Sequence, residues 1–175
     1  MGFIKPVPKD KADGQLKEIY EQLEEKYGRV PNFFGMMAHR PAILKSFLPF
    51  MAAISQGTVE PKYKELAYLK ASLLNGCEYC SRAHTAGAKR AGVTDQQIDA
   101  LQFYKDSKLF DEKEKATILF AERITRGAAA LREGALLELK EHYTEDQIVE
   151  LALVVCLANF TNRFNDSTQT EPDLG

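Results

Sequence analysis

The chain has few cysteines, no long apolar run and almost no strand-like alternation, and each shortage removes a class of protein. Its length of 175 residues, with only three cysteines, is enough to bury a sizeable core without disulfide stapling, so a single domain over residues 1–175 is expected. The longest apolar run, Leu151 to Ala158, is far below the roughly 20 residues of a membrane-spanning helix, and no membrane association is expected. A net charge of −2 with 27% charged residues and no Lys/Arg run leaves no basic field for nucleic acid. Met1 to Gly14 carries Lys5, Lys9, Lys11 and two prolines but no apolar stretch, so no secretory leader is expected and the location is read as cytoplasmic. In that reducing compartment a CxxC pair is catalytic or metal-binding rather than structural.

Gly and Pro fall between segments of helical periodicity, which makes the fold class all-α. Asp13 is expected to cap a helix that runs to Tyr27 and stops at Gly28. Pro31 and Pro41 open Asn32–Ala38 and Ala42–Ser55, with a kink expected at Pro49, and Pro61 opens a helix ending at Asn75-Gly76. A helix from Cys77 to about Ala91 follows. Thr94 with Gln97, and Asp111 with Glu114, read as capping boxes for Asp95–Tyr104 and Glu112–Thr125. Leu131–His142 and Glu145 to about Asn165 complete the set. A weak repeat recurs at an offset of fifty residues: Thr94-Asp95-Gln96-Gln97-Ile98 returns as Thr144-Glu145-Asp146-Gln147-Ile148. Gly127 and Ala130 stand in the second copy where the first has cysteines, so a duplication would be architectural, with chemistry in the first half alone.

The chemistry sits in Asn75-Gly76-Cys77-Glu78-Tyr79-Cys80-Ser81-Arg82-Ala83-His84. Residues 77, 80 and 84 share one face of a helix. Two thiols at this spacing can close a disulfide, and an imidazole one turn on can take up or return a proton. The thiolate is the nucleophile, so something must lower a thiol pKa. Cys77 stands at a helix start, where free N–H groups and the helix dipole favour an anion. Cys80 has His84 one turn away, and this directly positioned acceptor makes Cys80 the preferred nucleophile. Against the redox reading stand two buried small hydrophobes, or half of a zinc site in which His84 and Glu65 would complete the ligands. No second CxxC or HxxxH supports zinc. Cys156, within Leu-Ala-Leu-Val-Val-Cys-Leu, is expected in the core. His39 and His142 read as surface or capping residues, and Glu65 by itself as a solvated charge. Apolar segments at Phe33–Met37 and Phe47–Ile54 are expected to leave surface for contacts between copies of the chain.

Glu65, followed after eleven residues by Cys77-Glu78-Tyr79-Cys80 and then His84, resembles the AhpD-like alkylhydroperoxidases of the carboxymuconolactone decarboxylase superfamily. Val30–Pro41 and Leu157–Arg163 are similar to its uncharacterised peroxidase-related branch, so the resemblance spans about residues 25 to 165. It implies a multi-helical AhpD-like fold, a homo-oligomer (trimer or hexamer), no cofactor and a thiol peroxidase acting on hydroperoxides. Cys80 would be the peroxidatic thiol and Cys77 the resolving one, with His84 and Glu65 as a proton relay through a bound water. The reductant implied is a dithiol, by precedent lipoyl-type. Tyr79 departs from the pattern, since a second histidine is expected there and a phenol cannot act as a base near neutral pH. The superfamily also includes lactone and decarboxylation chemistry, which does not need a CxxC pair.

Overall fold

The computed structural model describes residues 4–131 and 133–173. Among them there is no strand, and nine α-helices follow one another: α1 (Gly14–Tyr27), α2 (Asn32–Met37), α3 (Pro41–Ser55), α4 (Pro61–Asn75), α5 (Glu78–Arg90), α6 (Asp95–Ala100), α7 (Glu112–Gly127), α8 (Glu133–Lys140) and α9 (Glu145–Thr168). Short 3-10 turns occupy Lys9–Lys11, Leu101–Phe103 and Ala128–Ala130. No helix among the described residues is long and apolar enough to cross a membrane.

The helix boundaries follow from local chemistry. Gly28 and Gly76 end α1 and α4 in the left-handed region, at φ 74° and 72°, which glycine adopts at no steric cost. Both sequence-read capping boxes form, and Thr144 with Gln147 adds a third at the head of α9. Asp13 does occupy the N-cap of α1, but its side chain makes no capping hydrogen bond. The expected Asp95–Tyr104 helix stops early, at Ala100, and tightens into the turn at Leu101–Phe103. There the buried Lys70 ammonium takes the Leu101 carbonyl at 3.2 Å, an oxygen a longer helix would have used for itself.

Helix α4 is the axis of the fold and packs on α5, α7 and α9. Its residues Leu66 to Ser72 are buried on every side, the pattern of a core helix rather than an amphipathic surface one. Leu66 and Leu69 join Ala88, Val93, Leu101 and Ile118 in one cluster, whereas Tyr68 and Ala71 face the larger cluster built on α1, α2, α3 and α9. Each leucine so buried stabilises the fold by about 2 kcal/mol.

Two expectations are overturned by the packing. Phe33, Phe34, Met36 and Met37 are buried in the core, because α2 is pressed between the N-terminal segment and α3. The close approach shows at Gly35, where a Cβ would meet the Pro6 ring at 2.7 Å, and Val7 N–H donates to the Gly35 carbonyl at 2.9 Å. These aromatics therefore offer no surface to a second copy. Cys156, read as core, is exposed. Leu151, Val154, Val155 and Ala158 take the inner face of α9 and leave Val149, Leu153, Cys156 and Phe160 on the outer one.

Candidate functional site

Cys77 lies just outside the helix, as the N-cap of α5, and not in its first turn. Its sulfur accepts the Cys80 N–H at 3.4 Å, the position an N-cap serine oxygen would otherwise fill. This geometry brings the two sulfurs to 2.8 Å, with the Cys77 thiol donating to Cys80. Both are nearly sealed from solvent, at 0% and 3% exposure.

Their titration is driven apart. The hydrogen bond from Cys77 is the largest influence pulling the Cys80 thiol down; burial opposes it, while hydrogen bonds from Asn165 and Asn162 and the nearby His84 add to it. Cys77 is pushed up, first because it is the donor in that same hydrogen bond and then by burial. The asymmetry favours the anion at Cys80 and the protonated thiol at Cys77.

His84 makes no hydrogen bond to Cys80. Its Nδ1 meets Glu65 Oε2 at 2.8 Å, and its ring stacks on Tyr68 with centroids 3.4 Å apart and planes at 16°. Tyr68 is held from the far side by a buried hydrogen bond with Thr161 of α9. Glu65 is thus no solvated charge, and it orients the imidazole. Gly87, one turn after His84, makes room for it: a Cβ there would come within 2.7 Å of the Glu65 carboxylate. Nothing in the sequence reading singled out Gly87, although a glycine in the middle of a helix is costly enough to signal a close approach.

The asparagines of α9 were also missed as site residues. Asn165 Nδ2 donates to Cys80 Sγ at 3.2 Å. Asn162 donates to Ser72 Oγ at 3.1 Å and accepts from Asn75 at 2.8 Å. The spacing of 159, 162 and 165 marks a polar stripe through an otherwise apolar helix, and that is the signal that could have found them. Tyr79 is structural in its contacts: its hydroxyl accepts the Phe33 N–H at 3.3 Å, and burial, with the Asp173 carboxylate nearby, pushes its phenol up, so it stays protonated. His39 is a surface residue whose Nε2 pairs with the Lys5 carbonyl at 2.8 Å.

Cys80, His84, Glu65 and Asn165 border one cavity of about 700 Å³ whose other walls include Phe33, Phe34, Met51, Ile54 and Leu157. Among the described residues no three His, Cys, Asp or Glu side chains are placed to hold a metal ion.

Residues 41–123 match the family model described as carboxymuconolactone decarboxylase family. The uncharacterized protein YdfG of Bacillus subtilis (strain 168) is 28% identical over 126 residues, 71% of this chain and 86% of that protein. Among solved structures, the alkylhydroperoxidase AhpD core of an uncharacterized peroxidase-related protein from Ralstonia eutropha JMP134 superposes with a TM-score of 0.85 at 22% identity, covering 96% of this chain and 90% of that one. The debrominase Bmp8 superposes with a TM-score of 0.83 at 23% identity, covering 98% and 92%. The segment similar to the carboxymuconolactone decarboxylase family contains Glu65, Cys77, Cys80 and His84, and the chain shares the all-helical AhpD-like fold.

Proposed function

We propose that this protein is a thiol peroxidase that reduces organic hydroperoxides with the Cys77–Cys80 pair. The observation that carries the reading is the pair itself, two buried sulfurs 2.8 Å apart with opposite titration on the wall of an apolar cavity. The Cys80 thiolate attacks the terminal oxygen of ROOH; an S–O bond forms, the O–O bond breaks, and Cys80 becomes a sulfenic acid as RO⁻ leaves. The alkoxide takes the proton that Cys80 gave up, carried by His84, whose Nδ1 is held by Glu65 and whose other nitrogen is free to exchange it. The Cys77 thiol then attacks the sulfenic sulfur, and its proton leaves with the hydroxyl as water. The sum is one hydroperoxide and two thiols to one alcohol, one water and one disulfide, which an external dithiol, of the lipoyl class or another, reduces again.

Lactone or decarboxylation chemistry would leave this thiol pair unused. Self-association belongs to the same proposal, with the exposed Val149, Leu153 and Phe160 of α9 and Phe50 of α3 as the apolar surface available for it. A monodisperse monomer at micromolar concentration in light scattering would remove that part.

The test is thiol titration and peptide mapping before and after organic hydroperoxide, with metal analysis of the purified protein. Hydroperoxide should be consumed and Cys77 joined to Cys80 while Cys156 stays outside the bridge. Absence of the bridge, or stoichiometric zinc on the reduced protein, would refute the reading.

A further inference from the structure

We infer that Asn165 is a substrate-binding residue whose two amide ends divide the work, Nδ2 holding the Cys80 thiolate and Oδ1 accepting a hydrogen bond from the O–H of the incoming hydroperoxide. The inference rests on the peroxidase reading above. Its ground is an unusual vacancy in the hydrogen bonding. Asn165 is 2% exposed and Oδ1 is buried with no hydrogen-bond partner, whereas the large majority of buried polar atoms have one. Among the described residues only Tyr104 and Asp173 also hold such an atom, and neither borders the cavity that contains Cys80.

The amide cannot be turned to relieve this while Cys80 is ionised. A thiolate only accepts, so the Nδ2 end must face the sulfur at 3.2 Å, and the acceptor end is then fixed one amide width away. Neighbouring groups leave it alone because they are already occupied: Asn162 serves Ser72 and Asn75, and Thr161 serves Tyr68. A ligand that reaches the sulfur and satisfies Oδ1 must carry a donor hydrogen beside the atom under attack. A protonated hydroperoxide does; a disulfide or thiosulfonate does not. As the S–O bond forms and the O–O bond breaks, the hydrogen stays on the transferred oxygen, so the same acceptor would go on to hold the sulfenic O–H, facing Cys77. Residue 165 lies outside the segment matched by the family model.

The experiment compares two electrophiles in protein carrying Cys156→Ser, so that the exposed thiol does not interfere. One is cumene hydroperoxide; the other is methyl methanethiosulfonate, which reaches the same sulfur but has no donor. Second-order rates are measured at a pH where thiolate absorbance shows Cys80 fully ionised. Asn165→Ala should lower the hydroperoxide rate about 3- to 10-fold, the worth of one neutral hydrogen bond, and change the thiosulfonate rate by less than about twofold. Asn165→Asp keeps an acceptor oxygen and loses the Nδ2 donor, so it should raise the pH at which the thiolate forms yet preserve the ratio of the two rates. Asn165→Leu, which retains the volume, replaces the alanine variant should the latter melt at assay temperature. An unchanged rate ratio in the alanine or leucine variant, with wild type active, overturns the assignment. Wild-type protein that reacts with the thiosulfonate but not with hydroperoxide overturns the peroxidase reading, and this assignment with it.

Discussion

The helix triplets α4–α5–α6 and α7–α8–α9 stand fifty residues apart in sequence and share capping chemistry at Thr94/Gln97 and Thr144/Gln147. The paired thiols lie in the first, and the thiol of the second is the lone, exposed Cys156 of α9. Where α4 offers Glu65 and Tyr68 to a cavity, α7 has Lys115 and the fully buried Ile118. Where α5 begins with a thiol at its N-cap, the chain after α7 passes through a 3-10 turn at Ala128–Ala130. The second triplet contributes in another way. Its last helix has 24 residues against 6 in α6, and the added length brings Thr161 to Tyr68, Asn162 to Ser72 and Asn165 to Cys80 of the first triplet. One half thus supplies the thiol pair, and the other supplies the Asn165 and Asn162 amides that lower the Cys80 pKa.

The sharpest break of this comparison is at the thiols. Cys80→Ser should abolish hydroperoxide consumption, whereas Cys77→Ser should leave one turnover per chain and accumulate the sulfenic acid, seen by dimedone labelling and mass spectrometry. The reverse pattern would make Cys77 the nucleophile.

Next in size is the relay. His84→Ala and Glu65→Gln should each slow oxidation by up to about 10² to 10⁴-fold and combine non-additively, because they act as one unit. Gly87→Ala should reproduce the Glu65 defect while leaving the helix intact, since the added methyl displaces the carboxylate. Stopped-flow oxidation of the single and double variants decides it; fully additive losses would separate the two residues.

A smaller and more discriminating effect is the acid limb of the rate profile. The rate should fall as pH drops through the depressed Cys80 pKa, where the thiolate is protonated. Removing a group that lowers that pKa moves the limb to higher pH. Cys77→Ala should move it furthest, Asn165 and Asn162 variants less, and His84→Ala least, in the order of their influence on Cys80. A His84 variant with the largest displacement would restore the imidazole as the main source of the thiolate.

The second triplet also anchors the first through Glu150, whose carboxylate accepts from Thr58 N–H at 2.7 Å and Val59 N–H at 3.2 Å and pairs with Lys64 at 2.5 Å. Burial opposes its ionisation, but Lys64 and the two amides outweigh it and hold the carboxyl below its ordinary range. A depressed folded pKa stabilises the fold above the unfolded value and is lost as pH falls through the folded one. Stability should therefore decline on acidification below about pH 4.5, the ordinary value, and Glu150→Gln should flatten that decline in melts across pH. At neutral pH Glu150→Ala should cost about 2 kcal/mol, because it strands two amides and takes the carboxylate from Lys64, whose ammonium keeps only the Ile54 and Ser55 carbonyls.

The smallest effect is expected at Lys115, the counterpart of Glu65. Lys115→Glu should leave the peroxidatic rate within about twofold. A larger loss would mean that the second triplet takes part in the chemistry directly.

How much of this was readable in advance divides along a physical line. Helix propensity, capping boxes, stop glycines and the spacing of Cys77, Cys80 and His84 depend on neighbours within one or two turns, so the all-α class, nearly every element and the thiol pair were legible as sequence. Boundaries slipped where a distant side chain intervened, as Lys70 does at Leu101. Cys156 was misjudged because an apolar run does not say which face of its helix turns inward. Phe33–Met37 was misjudged because the N-terminal segment that covers α2 lies far along the chain from any periodic signal. The fit of Glu65 against Gly87, the turning of His84 to that carboxylate rather than to Cys80, and the arrival of Asn165 from 85 residues away were settled only by tertiary packing. Local hydrogen bonding fixes a helix and the order of groups along it, whereas the distance between groups on different helices is set by how their surfaces interlock.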